Sequence, residues 1–151
     1  MATTPLLAGV AGEYFVAAEL SRRGLIASIT LRNTRGIDIV ATNADASRTV
    51  TIQCKTSQGS HKKYILSDKA ESFMSPNHFY VFVDLIGVNE QPKYHIVPSI
   101  VVANRVKTGH ADWLNAPGKN GRKRKDSKIR TFSDVNDEYL NKWELLGLFN
   151  A

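Results

Sequence analysis

Gly36-Ile37-Asp38-Ile39-Val40-Ala41-Thr42 and Thr49-Val50-Thr51-Ile52-Gln53-Cys54-Lys55-Thr56 are two apolar runs rich in β-branched residues. Each has the length of a buried strand, yet each carries polar groups that buried strands normally exclude. The connection Asn43-Ala44-Asp45-Ala46-Ser47 is short and polar, so the two runs predict an antiparallel hairpin. Side chains alternate across a strand, which puts Gln53 and Lys55 on one face and Cys54 on the other. With Asp38 on the adjoining strand, three polar tips converge on one small volume.

The chain around this hairpin supplies the rest of a sheet. Residues 8–23 read as a helix closed by Gly24, with Val10, Tyr14, Ala17 and Leu20 together on its wheel and Glu19 and Arg22 opposite. Glu13 falls on the apolar side, one turn before Val16, Ala17 and Leu20, where an ionised carboxylate is costly unless something pairs with it. Residues 25–31 form a first strand candidate, followed by the hairpin strands at 37–42 and 49–56. Residues 67–74 predict a short Ser-capped helix that Pro76 stops. The aromatic-rich run His78-Phe79-Tyr80-Val81-Phe82-Val83-Asp84-Leu85 predicts a central strand, and residues 93–97 a further one ended by Pro98. A helix at 99–107 completes the order α-β-β-β-α-β-β-α, and a closing element ends in residues 139–146. That order indicates an α/β fold with a central mixed β-sheet flanked by helices, as a single domain over residues 1–151.

Composition narrows the function classes. Apolar residues at 42% and charged residues at 23% are ordinary for a soluble globular chain, and 151 residues suffice for one core. No apolar run approaches the roughly 18 residues of a membrane span. The opening Met1-Ala2-Thr3-Thr4-Pro5 lacks the basic start of a secretory signal, so a cytoplasmic location and no membrane partner are expected. The single Cys54 excludes an intramolecular disulfide and a zinc cage built on cysteines. Of the 20 basic and 14 acidic residues, the stretch 118–130 holds seven and one, leaving 13 of each elsewhere. The whole net charge of +6 therefore sits on Lys119, Arg122, Lys123, Arg124, Lys125, Lys128 and Arg130, in a Gly-containing stretch that reads as a flexible loop.

The acid, amide and ammonium suit a hard divalent cation held beside a water. Asp38 offers a charged oxygen, Gln53 a neutral one, and the backbone carbonyl of Cys54 a third. Lys55 can hold the attacking water and the scissile phosphate, or serve as the base. Glu13, facing inward from the first helix, can bind the outer shell of the metal or a second ion. This is the chemistry of phosphodiester cleavage. Cys54, on the other face, reads as a small core residue. His61, His78, His95 and His110 have no metal-cage spacing, and no phosphate-cradling glycine motif occurs. Ser60-His61-Lys62-Lys63, close after the Gln-x-Lys strand, is a weaker candidate for a phosphate contact.

Glu13, Gly36-x-Asp38 and Gln53-x-Lys55 together resemble the active-site signature of the PD-(D/E)XK nuclease superfamily, which includes restriction endonucleases and Holliday-junction resolvases. The helix pattern Gly12-Glu13-x-x-x-Ala17-x-x-Leu20 with Gly24 is similar to the resolvase-like branch. The resemblance covers a little over half of the chain. It implies a restriction-endonuclease-like core, a Mg²⁺ cofactor for which Mn²⁺ can substitute, and catalytic roles for Glu13, Asp38, Gln53 and Lys55, with Asp38, Gln53 and Cys54 toward the metal. The sequence departs from the pattern at Gln53, where Asp or Glu is usual. A Gln there is similar to modification-dependent restriction endonucleases, and it removes one negative charge from the site.

The expected activity is metal-dependent DNA endonuclease. A weakened or inactive nuclease-fold DNA-binding protein, and a protein-binding accessory domain, are the alternatives. The basic stretch provides phosphate contacts without base readout. It holds no aromatic residue, which favours duplex or branched DNA over a single-strand stacking platform. A homodimer is consistent with cutting both strands.

Overall fold

The computed structural model describes residues 3–31, 35–59 and 62–149. Helix α1 (Pro5–Arg22) starts at the cap Thr4, whose hydroxyl accepts from Leu7 N at 3.3 Å, with Pro5 in the first turn. Gly24, just past its end, takes φ +85°, as a glycine terminating a helix does. Strands β1 (Ile26–Ile29), β2 (Ile39–Thr42), β3 (Thr49–Gln58), β5 (His78–Leu85) and β6 (Lys93–Pro98) form one sheet in the order β1-β2-β3-β5-β6. The β2–β3 pair is antiparallel, as the hairpin reading expects, with Ile39 opposite Ile52. β3 and β5 are the parallel pair, with Gln53 opposite Tyr80 and Lys55 opposite Phe82.

The sheet is covered on both sides, so β5 is buried from His78 to Asp84. On one face, α1 packs Val16 and Leu20 onto Ile39, Ile52, Val81 and Ile96, with Trp143 and Leu146 joining from the C-terminal segment. On the other, Tyr80, Phe82 and Val97 meet Val102 and Val106 of helix α2 (Ser99–Asn115), together with Tyr64, Leu66 and Phe132. Those last three belong to a second, two-stranded sheet of β4 (Lys63–Ser67) and β7 (Ile129–Ser133).

Several elements differ from the sequence expectations for physical reasons. The short helix expected at 67–74 is a 3-10 turn at Asp68–Glu71, and β4 takes the residues before it. β4 alternates cleanly, with Tyr64 and Leu66 buried and Ile65 exposed, but its partner lies some sixty positions away behind the basic stretch. The helix expected at 99–107 runs on to Asn115, and the closing element ends in a 3-10 turn at Trp143–Leu146.

The buried face of α1 also differs. It is the stripe Ala8, Gly12, Val16 and Leu20, and Tyr14 is 65% exposed. Small residues in that stripe let the helix lie close on the sheet. A Cβ placed on Gly12 would come 1.9 Å from Thr56 Oγ1 on β3, and 3.1 Å from its Cβ. Gly12→Ala is therefore expected to destabilise the fold by about 1–3 kcal/mol through overpacking. Adding Thr56→Ala should restore part of the loss in urea denaturation, because it removes the atom in closest conflict.

Candidate active site

The hairpin opens at Asp38. Its backbone N–H makes the last ladder bond to β3, donating to Ile52 O at 2.8 Å, and its carbonyl accepts from Thr30 N at 2.9 Å. The Thr30 hydroxyl donates to Ile37 O at 2.6 Å, so the residues entering β2 are fixed from both neighbours. Beyond this point β3 continues without β2 beside it. The next N–H on that edge, that of Cys54, would lack a strand partner, and the Asp38 side chain supplies one. Cys54 N donates to Asp38 Oδ2 at 2.7 Å. A carboxylate thus stands in the fork between two strands, one residue from Gln53 and Lys55 on either side.

Electrostatics in the fork are set by scarce water and few positive charges. Burial raises the Asp38 pKa above its ordinary value, and the Cys54 N–H and the Lys55 ammonium only partly oppose it. Burial, with the negative charges of Asp38 and Glu13, pushes the Cys54 thiol well up. Cys54 therefore stays protonated and packs against the core, as its small-residue reading expects. Glu13 is half-buried and exerts its charge at this same place from α1, whose close approach at Gly12 positions it.

Gln53 and Lys55 line a cleft of about 810 Å³ with Arg35, Gly36, Lys69 and Phe73. Gly36 has φ +62°, and a Cβ there would stand 3.3 Å from the Phe73 ring and 3.6 Å from Gln53 Oε1. The Gly-Ile-Asp turn thus passes directly between the amide and the aromatic ring, where any side chain would be strained and crowded. The sequence reading missed this wall, because Phe73 falls in what reads as a helix end. His78 behind Phe73, ring centroids 4.5 Å apart, has its pKa pushed down to about 4 by burial and is a neutral packing residue.

The donor set suits a hard cation. Asp38 keeps one carboxylate oxygen outside its bond to Cys54, and Gln53, which lines the cleft beside it, offers a neutral oxygen. Mg²⁺ retains several waters and needs only one or two carboxylates, so this sparse set can hold it. Its charge would also compensate the poorly solvated Asp38. Among the described residues no group of three His, Cys, Asp or Glu side chains is placed to cage a metal.

The basic stretch is less loop-like than its composition suggests. Lys119–Gly121 form a 3-10 turn, and Gly118 N donates to Arg122 O at 2.8 Å. Arg124 is half-buried, lies over the Trp113 ring and donates to Trp113 O, while Asp126 bonds His110 at 2.7 Å. Arg130 lies in β7, 8% exposed and paired with Glu71, so it ties β7 to the 3-10 turn at Asp68–Glu71. Lys119, Arg122, Lys123, Lys125 and Lys128 are exposed. The stretch ends at the rim of the cleft, where Lys128 O accepts from Asp68 N at 2.9 Å and Ser67 pairs with Ile129. Of the weaker candidates, Ser60 and His61 lie outside the described residues, and Lys62 is bound to Asp137 at 2.9 Å.

No helix among the described residues is long and apolar enough to cross a membrane. Residues 26–94 match the family model described as restriction endonuclease, a stretch that contains Asp38, Gln53 and Lys55 and excludes Glu13. No curated protein matches the chain. Among solved structures, Hjc, a Holliday junction resolvase from Archaeoglobus fulgidus, is similar over 95% of this chain and 98% of its own, with 15% identity and a TM-score of 0.51. The bacterial homing endonuclease I-Ssp6803I is similar over 97% and 94%, with 16% identity and a TM-score of 0.56. At these identities the likeness is one of fold. The chain thus carries a restriction-endonuclease-like fold, with Asp38, Gln53 and Lys55 inside the stretch that the family model matches.

Proposed function

We propose that this chain is a divalent-metal-dependent DNA endonuclease. The observation that carries the reading is the fork itself, where Asp38 reaches across to Cys54 N beside a cleft lined by Gln53 and Lys55. Asp38 and Gln53 would hold the ion, with the Cys54 carbonyl as a further oxygen. When bound, a divalent ion polarises the phosphoryl oxygen and acidifies a water. Lys55 orients that water and neutralises charge on the phosphate as the bond breaks, an electrostatic role suited to a partly desolvated cleft. Glu13 acts from α1 as an accessory acid. The exposed Lys119, Arg122, Lys123, Lys125 and Lys128 track the phosphates of duplex or branched DNA, as sequence-independent contacts do. Two copies of the chain would supply the two sites that a double-strand break needs.

The test is nicking of supercoiled plasmid with Mg²⁺ or Mn²⁺ by wild type and Lys55→Ala. Cleavage by wild type, lost in the variant, is the expected result. If wild type cuts no plasmid, branched or methylated DNA, the endonuclease reading is wrong. Gln53 supports a second reading, a DNA-binding protein whose site has lost activity with its second acid. Gln53→Glu separates the two. In an active enzyme it should lower the Mg²⁺ concentration for half-maximal cleavage by about tenfold or more, since a unit charge is added next to the ion. In an inactive descendant the wild type binds DNA but does not cut, and the substitution creates the activity.

A further inference from the structure

We propose that the cleft beside Lys55 receives an unstacked nucleobase of the strand being cut, so that the favoured substrate is DNA with an unpaired or bulged nucleotide. This rests on the endonuclease reading and names its substrate class. The cleft, about 810 Å³, is within the size of pockets that enclose a small ligand. Its lining combines what a nucleotide has to offer. Arg35, Lys55 and Lys69 bring positive charge, and the described residues lining it include no Asp or Glu to cancel that charge. Phe73 and Ile65 present apolar surface that remains 38% and 69% exposed.

Phe73 is the open end of a column of rings. Its centroid is 4.5 Å from that of His78, which lies 5.5 Å from Tyr80, and Tyr80 stacks on Phe82 at 5.6 Å. Buried rings thus hold Phe73 from behind and leave part of it facing the cleft. Tyr80 also lines the cleft and is only 1% exposed.

The position relative to the cutting groups is the decisive point. Gly36 separates Gln53 Oε1 from the Phe73 ring by the width of a single missing Cβ. A phosphate held at Gln53 and Lys55 therefore places an adjacent base within reach of the wall. In a continuous duplex both faces of that base are covered by its neighbours, and it can meet Phe73 only by leaving the stack. Unstacking is least costly where the base is already unpaired. The aromatic contact that the basic stretch lacks is thus present in the cleft itself.

The test uses the full chain with Ca²⁺ in place of Mg²⁺ to allow binding without cleavage. Affinity is measured for a duplex with a single-nucleotide bulge and for its fully paired counterpart, with 2-aminopurine at the bulge reporting its stacking. The expected result is about tenfold tighter binding of the bulged duplex and a change in 2-aminopurine fluorescence on binding. Phe73→Leu should remove most of the preference and Phe73→Trp should keep it, in line with the effect of removing one base-stacking ring. Thermal melting of each variant confirms folding. Equal affinity for both duplexes, or a preference unchanged by Phe73→Leu, overturns the proposal. With Mg²⁺ restored, cleavage alongside equal affinities would leave the endonuclease reading standing while the base site falls. A preference for the bulge without cleavage of any DNA would support the base site and remove the endonuclease reading.

Discussion

Asp38→Asn is expected to reduce single-turnover cleavage by at least about a thousandfold while making the metal-free protein more stable. The two effects have one cause. Asp38 is a carboxylate in a poorly solvated fork, and its raised pKa says that the folded protein tolerates its charge badly without a cation. Asn keeps the oxygen that accepts from Cys54 N and discards the charge. The loss of several kcal/mol of charge stabilisation at the reacting phosphate corresponds to the stated drop in rate. The gain appears in thermal melting with EDTA. A raised carboxyl pKa means that the folded state holds more protons than the unfolded one, from 3.8 up to the folded value. Wild type should lose stability as pH rises through that window, and Asp38→Asn should not. Asp38→Ala tells the two roles apart, because it orphans the Cys54 N–H and should cost about 1–3 kcal/mol. Equal melting temperatures for wild type and Asp38→Asn at neutral pH would contradict the account.

Asp134→Ala should lower stability by about 3–5 kcal/mol, the scale of breaking a buried charged network, and the melting temperature by about 10 °C. Asp134 is 1% exposed and accepts from Glu138 N at 3.0 Å, from Tyr139 N at 2.9 Å and from His95 Nδ1 at 2.8 Å. His95 is fully buried, with Asp84 on its other side at 3.6 Å, and Asp84 accepts from the Tyr64 hydroxyl at 2.7 Å. The network joins β4, β5 and β6 to the segment after β7, where Ile96 N donates to Tyr139 O. Burial alone would lower the His95 pKa, but the bond to Asp134 and the charges of Asp134 and Asp84 prevail, and the net shift is upward. Its stabilising contribution is therefore complete below pH 6.5 and is lost as pH rises through the folded pKa. Chemical denaturation of wild type from pH 6 to 9 should show that decline, and Asp134→Ala should flatten it.

Local patterns were legible and distant partnerships were not. Asp38, Gln53 and Lys55 could be read from sequence because strand alternation and a short connection fix their relative placement. β5 could be read because a central strand covered on both faces must be apolar throughout. β4 could not, since five residues with two buried side chains gain their order only from β7. For the same reason Arg130 reads as one more cation of the basic stretch, when its neighbours in space make it an internal tie to Glu71. Tyr14 misled the helix wheel because the wheel rewards bulk, and α1 meets the sheet along Ala8, Gly12, Val16 and Leu20, with Gly12 hard against Thr56. The aromatic wall of the cleft needed both the 3-10 turn and the β3–β5 register, neither of which has a local signature.

The parallel pairing that sets Gln53 opposite Tyr80 has an evolutionary corollary. The proposed cutting groups Asp38, Gln53 and Lys55 lie on one hairpin, and most of the remaining cleft surface comes from residues 65–80. Because Ile65, Lys69 and Phe73 are exposed, those positions of the second segment can change by mutation while the first is left alone. Lineages of such a protein are then free to change what they recognise without reinventing how they cut.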